Sequence, residues 1–144
     1  TLVELFNDAG IETQSSGDII KEIWIKAIVN SSINPLTAFF GCKNGYLLEN
    51  PLLEKIVEHV CIESSIVASV AGISVSQFEM IEKTKEVIRT TATNYSSMLQ
   101  SIQQGKNTEI DSMNKKLMNN GSDYKVDTPL NRILTTLITS CCSP

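Results

Sequence analysis

The chain has 144 residues, enough for one domain with a proper core. Apolar residues make up 42% of it and charged residues 19%, which predicts a folded chain rather than a disordered one. The net charge of −4 argues against a nucleic-acid-binding protein, which would carry a basic stripe, but it leaves a small anionic substrate open.

The first predicted helix begins behind Asp18, which is placed to cap it. It should end near Ile33, because Asn34 precedes Pro35 and is pushed out of helical geometry. Asn34 and Pro35 then read as the cap and first residue of a short helix that stops at Gly41. The apolar residues of the first helix recur at a spacing that predicts one buried face: Ile19, Ile20, Ile23, Trp24, Ala27 and Ile28.

A turn is predicted at Asn44 and Gly45, followed by two more helices. Asn50 and Pro51 open the first of these, and Gly72 closes it. Ser76 and Glu79 have capping-box spacing and open the second. Apolar residues at helical spacing follow in each: Leu52, Leu53, Ile56, Val57, Val60, Cys61, Val67 and Ala68, then Phe78, Ile81 and Ile88.

Three further helices are predicted in the second half. One covers residues 92–102 and ends at Gly105; the next starts at a capping-type pair, Thr108 and Asp111, and ends at Gly121. Residues 119–127 have the composition of a loop, and Pro129 opens the last helix. No strand pattern of useful length occurs, so the predicted class is all-α. The apolar residues expected to face inward are Tyr95, Met98, Leu99, Ile102, Ile110, Met113, Leu117, Leu130, Ile133, Leu134, Leu137 and Ile138.

A metal site is not expected, because no C-x-x-C pair occurs and His59 is the single histidine. His59 follows Glu58 in a long helix, which favours a solvated or partly packed ring over a catalytic one. The cysteines are expected to be reduced thiols of a cytosolic protein: Cys42, Cys61, Cys141 and Cys142.

No stretch approaches the roughly 18–20 apolar residues needed to span a bilayer. The start also lacks the basic and apolar regions of a signal peptide. The chain begins with Thr1 rather than Met, which suggests a fragment of a longer protein.

A polar line runs along the first predicted helix, where Lys26, Asn30 and Asn34 recur every four residues. Side chains at this spacing lie on one face, or nearly so past the helix end. A solvated surface is the simple interpretation. Asparagine is nevertheless poor in helix interiors, and the residues between these positions are strongly apolar, which suggests polar groups set into a buried surface.

A second polar cluster comprises Asn94, Ser96, Ser97 and Glu109. Asn94 and Ser97 are three residues apart and would face one way on a helix. Taken alone, Glu109 is explained as a carboxylate in the first turn of a helix capped by Thr108, where it interacts favourably with the helix dipole.

Together the two clusters offer one ammonium, several amides and hydroxyls, and one carboxylate, a set that suits a small acid with hydroxyl groups. No nucleophile–base pair is evident. None of the seven glycines forms G-x-G, so this chain alone is not expected to hold a dinucleotide.

Three stretches in this order resemble the ketopantoate reductase family. They are residues 24–38 with Asn44 and Gly45 following, residues 94–100, and residues 108–111 with 128–131 downstream. The resemblance covers essentially the whole chain, 1–144, as that family's C-terminal substrate-binding and dimerisation domain. It implies a multi-helix bundle like the C-terminal domain of the 6-phosphogluconate dehydrogenase-like superfamily, without the N-terminal Rossmann domain.

The resemblance also implies an activity: NADPH-dependent reduction of ketopantoate to pantoate in the cytoplasm, on the route to pantothenate and coenzyme A. Lys26 matches the family's catalytic lysine, which polarises the ketone and protonates the alkoxide. Glu109 matches the acid that binds a substrate hydroxyl and helps place the lysine. NADPH would be held mainly by the missing domain, so this chain alone is expected to be inactive.

Four further residues match the family's substrate site. Asn30 and Asn34 would bind hydroxyl groups, Ser97 would reach the carboxylate, and Asn94 would line the same site. The implied partners are the small-molecule substrate and, as an open alternative, a second copy in a homodimer; neither nucleic acid nor membrane is implied.

Two departures from the family pattern keep a second substrate in view. Ser101 stands where an acidic residue often follows the glutamine, and residues 112–114 match loosely. A related reductase of another 2-keto acid is therefore one alternative. A non-enzymatic helical dimerisation module is the other.

Overall fold

A computed structural model describes residues 1–142 and, for Cys142, the backbone only. Every regular element in these residues is helical and no strand occurs, which confirms the all-α class. The helices are α1 (Leu2–Asp8), α2 (Ile19–Phe40), α3 (Tyr46–Glu49), α4 (Pro51–Val70), α5 (Gln77–Thr90), α6 (Ser97–Gln103), α7 (Asn114–Asp123) and α8 (Pro129–Cys142).

Helix α2 is the central element, in contact with α4, α5, α6 and α8. Burial along it begins at Ile28 and continues through Ala38 apart from Asn30, so its second half forms the middle of the core. Five helices contribute to the largest cluster of buried apolar side chains: Val29, Ile33, Leu36, Leu47, Leu53, Val57, Val60, Cys61, Ile88 and Leu134.

Three of the predicted helix starts are confirmed by side-chain caps. The Asp18 carboxylate accepts from the backbone N–H of Lys21 at 3.0 Å, and the Asn50 side chain accepts from that of Leu52 at 3.0 Å. Ser76 caps α5 through the N–H of Glu79 at 3.4 Å, as its spacing predicted. Each cap satisfies a backbone donor that the first turn of a helix leaves unpaired.

The predicted end of α2 near Ile33 is wrong. The helix continues through Pro35 and ends at Gly41, whose positive φ of 63° closes it in the left-handed conformation. Pro35 removes the donor that the carbonyl of Ser31 would normally use. The side-chain amide of Asn114 replaces that donor at 3.1 Å, a contact from 83 residues away that local patterns do not report.

The predicted helix over residues 92–102 begins only at Ser97. The backbone N–H of Gly45 donates to the carbonyl of Ala92, and that of Asn44 to the carbonyl of Asn94, both at 3.0 Å. These contacts hold residues 92–94 in a turn. A Cβ on Gly45 would lie 2.9 Å from that of Ala92, so glycine allows the close approach.

The helix predicted from Thr108 is also shorter at its start and longer at its end. A bend at Glu109 and turns over residues 110–113 precede α7, which runs from Asn114 to Asp123, so the predicted loop begins only after Asp123. Gly121 lies inside the helix, and a Cβ added to it would lie 2.8 Å from the methyl carbon of Thr128. It marks a crossing of the following loop rather than the helix end.

Several residues predicted to face inward are exposed. Ile19, Ile20 and Ile23 are more than half exposed, and the fully buried part of α2 begins only at Ile28. Helix α1, which the sequence patterns did not predict, has no buried residue either. Other side chains wrongly expected in the core are Leu52, Phe78, Tyr95 and Ile133.

Neither a membrane span nor a metal cluster is found within residues 1–142. None of the described helices combines the length and apolarity needed to cross a bilayer. No group of three metal-binding side chains comes together there.

A largely buried lysine forms ion pairs that join α5 to α4. The ammonium of Lys85, 12% exposed, lies 2.7 Å from Glu54 and 2.5 Å from Glu58. We expect Lys85→Met to lower the free energy of unfolding by about 2 kcal/mol, because charge-assisted hydrogen bonds are lost and two carboxylates remain side by side. Urea unfolding of the chain measures this, with exposed Lys83→Met as the matched control; equal losses would contradict it.

The same ion pair sets a pH dependence. The hydrogen bond to Glu54, followed in magnitude by the one to Glu58, raises the pKa of Lys85 above its ordinary 10.5. Because the pKa of Lys85 is higher in the folded than in the unfolded chain, the stabilisation is complete below the unfolded value. It is lost as pH rises through the folded pKa. Wild type and Lys85→Met should therefore converge in stability above pH 10.5, whereas a constant difference there would contradict the assignment.

The described cysteines differ in burial. Cys42, Cys61 and Cys141 are free thiols, and the side chain of Cys142 lies outside the described atoms. Burial raises the pKa of the Cys61 thiol, and the thiolate is the reactive form. In a Cys142→Ser background we expect iodoacetamide to modify exposed Cys141 first and Cys61 last, as read by peptide mass spectrometry. Equal rates in the folded chain would contradict this.

Candidate substrate site

The polar line predicted on α2 lies on one unbroken helix. Lys26 is exposed, Asn30 is half-buried and Asn34 is buried, so the line runs from the surface into the protein over two turns. The three side chains are four residues apart and lie on neighbouring turns of the same face.

Lys26 and Asn30 border an open cavity of about 240 Å³ between α2 and α5. A second ammonium, that of Lys83, borders the same cavity. Within residues 1–142 Lys26 has no ion-pair partner, so its charge is available to a ligand. The other lining residues are one carboxylate and three apolar side chains: Glu22, Ile25, Val29 and Val87.

Asn34, Ser97 and Glu109 are joined by hydrogen bonds. The Nδ2 of Asn34 donates to the Oγ of Ser97 at 3.4 Å, and that hydroxyl donates to Oε1 of Glu109 at 2.6 Å. Ser97 and Glu109, which are 63 and 75 positions from Asn34 in the chain, are thus brought into one group with it, as expected from the two polar clusters.

Helix α6 is fixed to α2 directly beside this group. The Oγ1 of Thr37 donates to the Oγ of Ser96 at 2.8 Å, and Ser96 in turn caps α6 by accepting from the N–H of Leu99 at 3.2 Å. Both serine hydroxyl groups are buried or held by neighbours, so Ser97 has a defined position at the first turn of α6.

Glu109 lies in the turns before α7 rather than in a helix. Its carbonyl accepts from the N–H groups of Ser112 and Met113, each at 3.1 Å, and buried Ile110 anchors the segment. Because α7 begins five residues later, the interpretation of Glu109 as a helix-start carboxylate capped by Thr108 is wrong. Its carboxylate is exposed and bonded to Ser97.

Asn94 is exposed, and its side chain makes no hydrogen bond to the described residues. Its carbonyl is held by the backbone N–H of Asn44. Asn44 is buried, and its Nδ2 donates to the Oγ1 of Thr91 at 2.9 Å. The sequence marked Asn44 only as a turn residue, whereas it fixes the loop that carries Asn94.

The arrangement offers an ammonium and one amide beside a cavity, a second amide one turn along the same helix face, and an exposed hydroxyl–carboxylate pair bonded to that second amide. An ammonium in such a place stabilises an oxygen that becomes negative. The amides and the carboxylate are suited to binding hydroxyl groups.

Comparison with known proteins gives consistent results. A sequence profile of the C-terminal part of ketopantoate reductases (PanE/ApbA) matches residues 18–141. The 2-dehydropantoate 2-reductase of Archaeoglobus fulgidus is 35% identical over 137 residues, which are 95% of this chain and 46% of that protein. The enzyme of the same name from Pyrococcus horikoshii is 40% identical over 94% of this chain and 44% of its own length. The chain thus spans about half the length of these relatives.

Solved structures share the fold. A D-mandelate dehydrogenase in complex with NADH and anilino(oxo)acetate is 28% identical with a TM-score of 0.92, covering 98% of this chain and 59% of that one. A PanE/ApbA family ketopantoate reductase from Ralstonia eutropha is 26% identical with a TM-score of 0.90, over 98% of this chain and 47% of that one. On the match over residues 18–141, the chain belongs to the ketopantoate reductase family and corresponds to its C-terminal part.

Proposed function

We propose that the protein containing this chain is a cytoplasmic, NADPH-dependent reductase that converts ketopantoate to pantoate, and that this chain supplies the substrate-binding half. The observation that carries the proposal is the shared face of α2. Lys26 and Asn30 border one cavity there, and Asn34, one turn further along the helix, is hydrogen-bonded to Ser97 and through it to Glu109. Relatives at 35% and 40% identity carry the name of this activity.

The proposed role of Lys26 follows from the reaction. When a hydride adds to the ketone carbon, the C=O π bond breaks and its electron pair becomes an alkoxide on oxygen. An ammonium at that oxygen stabilises the charge and donates the proton that completes the alcohol. Lys26 is exposed on the cavity wall and forms no ion pair within the described residues, although the Glu22 carboxylate borders the same cavity.

The remaining polar groups are proposed to orient the substrate. Asn30 and Asn34 bind its hydroxyl groups, Ser97 reaches its carboxylate, and Glu109 accepts from a hydroxyl while orienting the Lys26 side chain. Asn94 completes the wall. Because Ser97 already bonds both Asn34 and Glu109, substrate binding would exchange one of these bonds for a bond to the ligand.

NADPH, which supplies the hydride when bound, is proposed to be held by the part of the protein outside this chain. No G-x-G-x-x-G occurs in the sequence, and residues 1–142 contain no strand to precede such a loop. The residues present fit the substrate rather than the phosphates of a dinucleotide. This chain contributes the face on which the ketone is presented.

A reductase of another 2-keto acid is the second candidate. It is favoured by the D-mandelate dehydrogenase fold match and by the apolar wall of Ile25, Val29 and Val87, which would accept a larger substituent. Full-length protein should be assayed with ketopantoate and with phenylglyoxylate, each with NADPH and NADH. A higher kcat/KM for phenylglyoxylate would replace ketopantoate as the substrate. No turnover of either would favour the helical association module.

We also propose a homodimer. The exposed apolar side chains of α1 and the start of α2, among them Leu2, Leu5 and Ile19, support association through this end of the chain or contact with the rest of the protein. Light scattering of the full-length protein distinguishes a dimer from a monomer.

A further inference from the structure

The passage of α2 through Pro35 leaves one carbonyl without its helical donor. In an unbroken helix the carbonyl of Ser31 accepts from the N–H of residue 35, which proline does not have. The Nδ2 of Asn114 donates to this carbonyl at 3.1 Å, and the Asn114 side chain is fully buried. A side-chain amide from α7 therefore stands in for the missing backbone donor of α2.

The orientation of the Asn114 amide is fixed by a buried carboxylate. Glu63 accepts from the backbone N–H of Leu130 at 3.0 Å and from the backbone N–H and Nδ2 of Asn131 at 2.8 and 2.7 Å. Because a carboxylate only accepts, Asn131 must turn its Nδ2 toward Glu63 and its Oδ1 away. That Oδ1 accepts from the Nδ2 of Asn114 at 2.9 Å, so Asn114 presents donors to both of its partners.

This arrangement leaves the Oδ1 of Asn114 buried without a partner among the described residues. An unpartnered buried acceptor is destabilising, and an apolar side chain of similar size would avoid it. The amide is therefore explained by its two donated hydrogen bonds rather than by its volume, and one of them connects α7 to the interrupted part of α2.

Asn114 lies between the two halves of the candidate site. Its backbone comes five residues after Glu109, at the first residue of α7. Its side chain donates to the backbone carbonyl of Ser31 in α2. Ser31 follows Asn30 directly and lies about one turn before Asn34. Any shift of this contact would displace the α2 side chains relative to the Glu109 turn.

We propose that Asn114 is a positioning residue of the substrate site: it supplies the hydrogen bond that Pro35 removes, and so holds the asparagines of α2 in register with Glu109. This proposal rests on the proposed function, since the register matters for a substrate that contacts both elements. Asn114 itself does not touch the substrate.

The test is a double-mutant cycle in the full-length protein with Asn114→Leu and Pro35→Ala. Asn114→Leu should raise the KM for the keto acid by about 10-fold and lower kcat/KM by about 100-fold, the scale of a misplaced site. Alanine at position 35 restores a backbone donor for Ser31. In that background we expect Asn114→Leu to change kcat/KM by less than about threefold.

Thr84→Val is the matched control, because Thr84 is also fully buried and its hydroxyl accepts a bond, from Cys61 at 3.2 Å. It should lower thermal stability while leaving KM unchanged. An equal effect of Asn114→Leu in both backgrounds, or a rise in KM with Thr84→Val, would overturn the proposal. If Asn114→Leu does not fold, Asn114→Ser, too short to reach Ser31, replaces it with the same expectations.

Amide hydrogen exchange separates this proposal from the proposed function. In full-length protein, Asn114→Leu should speed exchange over residues 32–38 of α2 when position 35 is proline and not when it is alanine. A wild-type protein that reduces no keto acid would overturn the proposed function, and the exchange result would still decide whether Asn114 supports α2. Unchanged exchange in both backgrounds would overturn the positioning role.

Discussion

Replacing Lys26 by alanine in the full-length protein is expected to lower kcat for ketopantoate reduction by about 100- to 10,000-fold, the range for loss of a general acid. The ammonium is proposed to act mainly on the alkoxide, which exists only after hydride addition. The loss should therefore appear in kcat and kcat/KM together, with a smaller effect on KM. Steady-state kinetics followed by NADPH absorbance measures both.

Two controls make this result specific to Lys26. Lys21→Ala removes a lysine from a different face of the same helix and should leave kcat unchanged. Added methylamine should restore part of the Lys26→Ala activity, since it returns an ammonium to the cavity. A fall in kcat smaller than about tenfold would show that Lys26 is only a surface charge.

Replacing Glu109 by glutamine is also expected to have a large effect, on substrate use. The substitution keeps the size of the side chain but removes the charge that accepts from Ser97 at 2.6 Å. A hydrogen bond to a charged group contributes about 1.5–3 kcal/mol, which corresponds to a fall in kcat/KM of roughly 10- to 150-fold. Most of it should appear as a higher KM for the keto acid.

Asp111→Asn provides the matched control for Glu109. Asp111 lies two residues later in the same turns and pairs with Lys115 at 3.2 Å, away from Ser97. It should leave both kinetic constants near wild type. Fluorescence titration should give the same NADPH affinity for Glu109→Gln as for wild type, and a loss of cofactor affinity instead would contradict the proposed role.

Three helix starts of this fold could be predicted from the sequence because their causes are local. Asp18, Asn50 and Ser76 each bond to a backbone N–H two or three residues ahead, and a pattern of that length is visible in one dimension. The left-handed glycine at position 41 closes α2 for an equally local reason.

The errors in element boundaries come from contacts between distant segments. Pro35 predicts a helix end until a donor from Asn114 is known, and residue 92 appears helical until its carbonyl is seen to accept from Gly45. Burial failed for a related reason. Ile19 and Ile23 have the right spacing for a buried face, but spacing does not tell how far the neighbouring helices cover α2, and both side chains are 58% exposed.

The candidate site shows the same division. The two polar clusters were recognised by spacing and by resemblance, and Asn34, Ser97 and Glu109 do meet. Asn44 and Asn114 were missed because their contributions are made through the backbone of another segment. The burial of Asn114 and its contact with α2 become visible only in the folded chain. The roles of the site residues in turnover stay predictions.

The central claim is that this chain is the substrate-binding half of a ketopantoate reductase. It is tested most directly by NADPH-dependent reduction of ketopantoate, measured as loss of NADPH absorbance, on the 144-residue chain and on the full-length protein. We predict activity in the full-length protein alone. Absence of activity in both would contradict the claim. Activity in the isolated chain would contradict the proposal that NADPH is held by the part of the protein outside this chain.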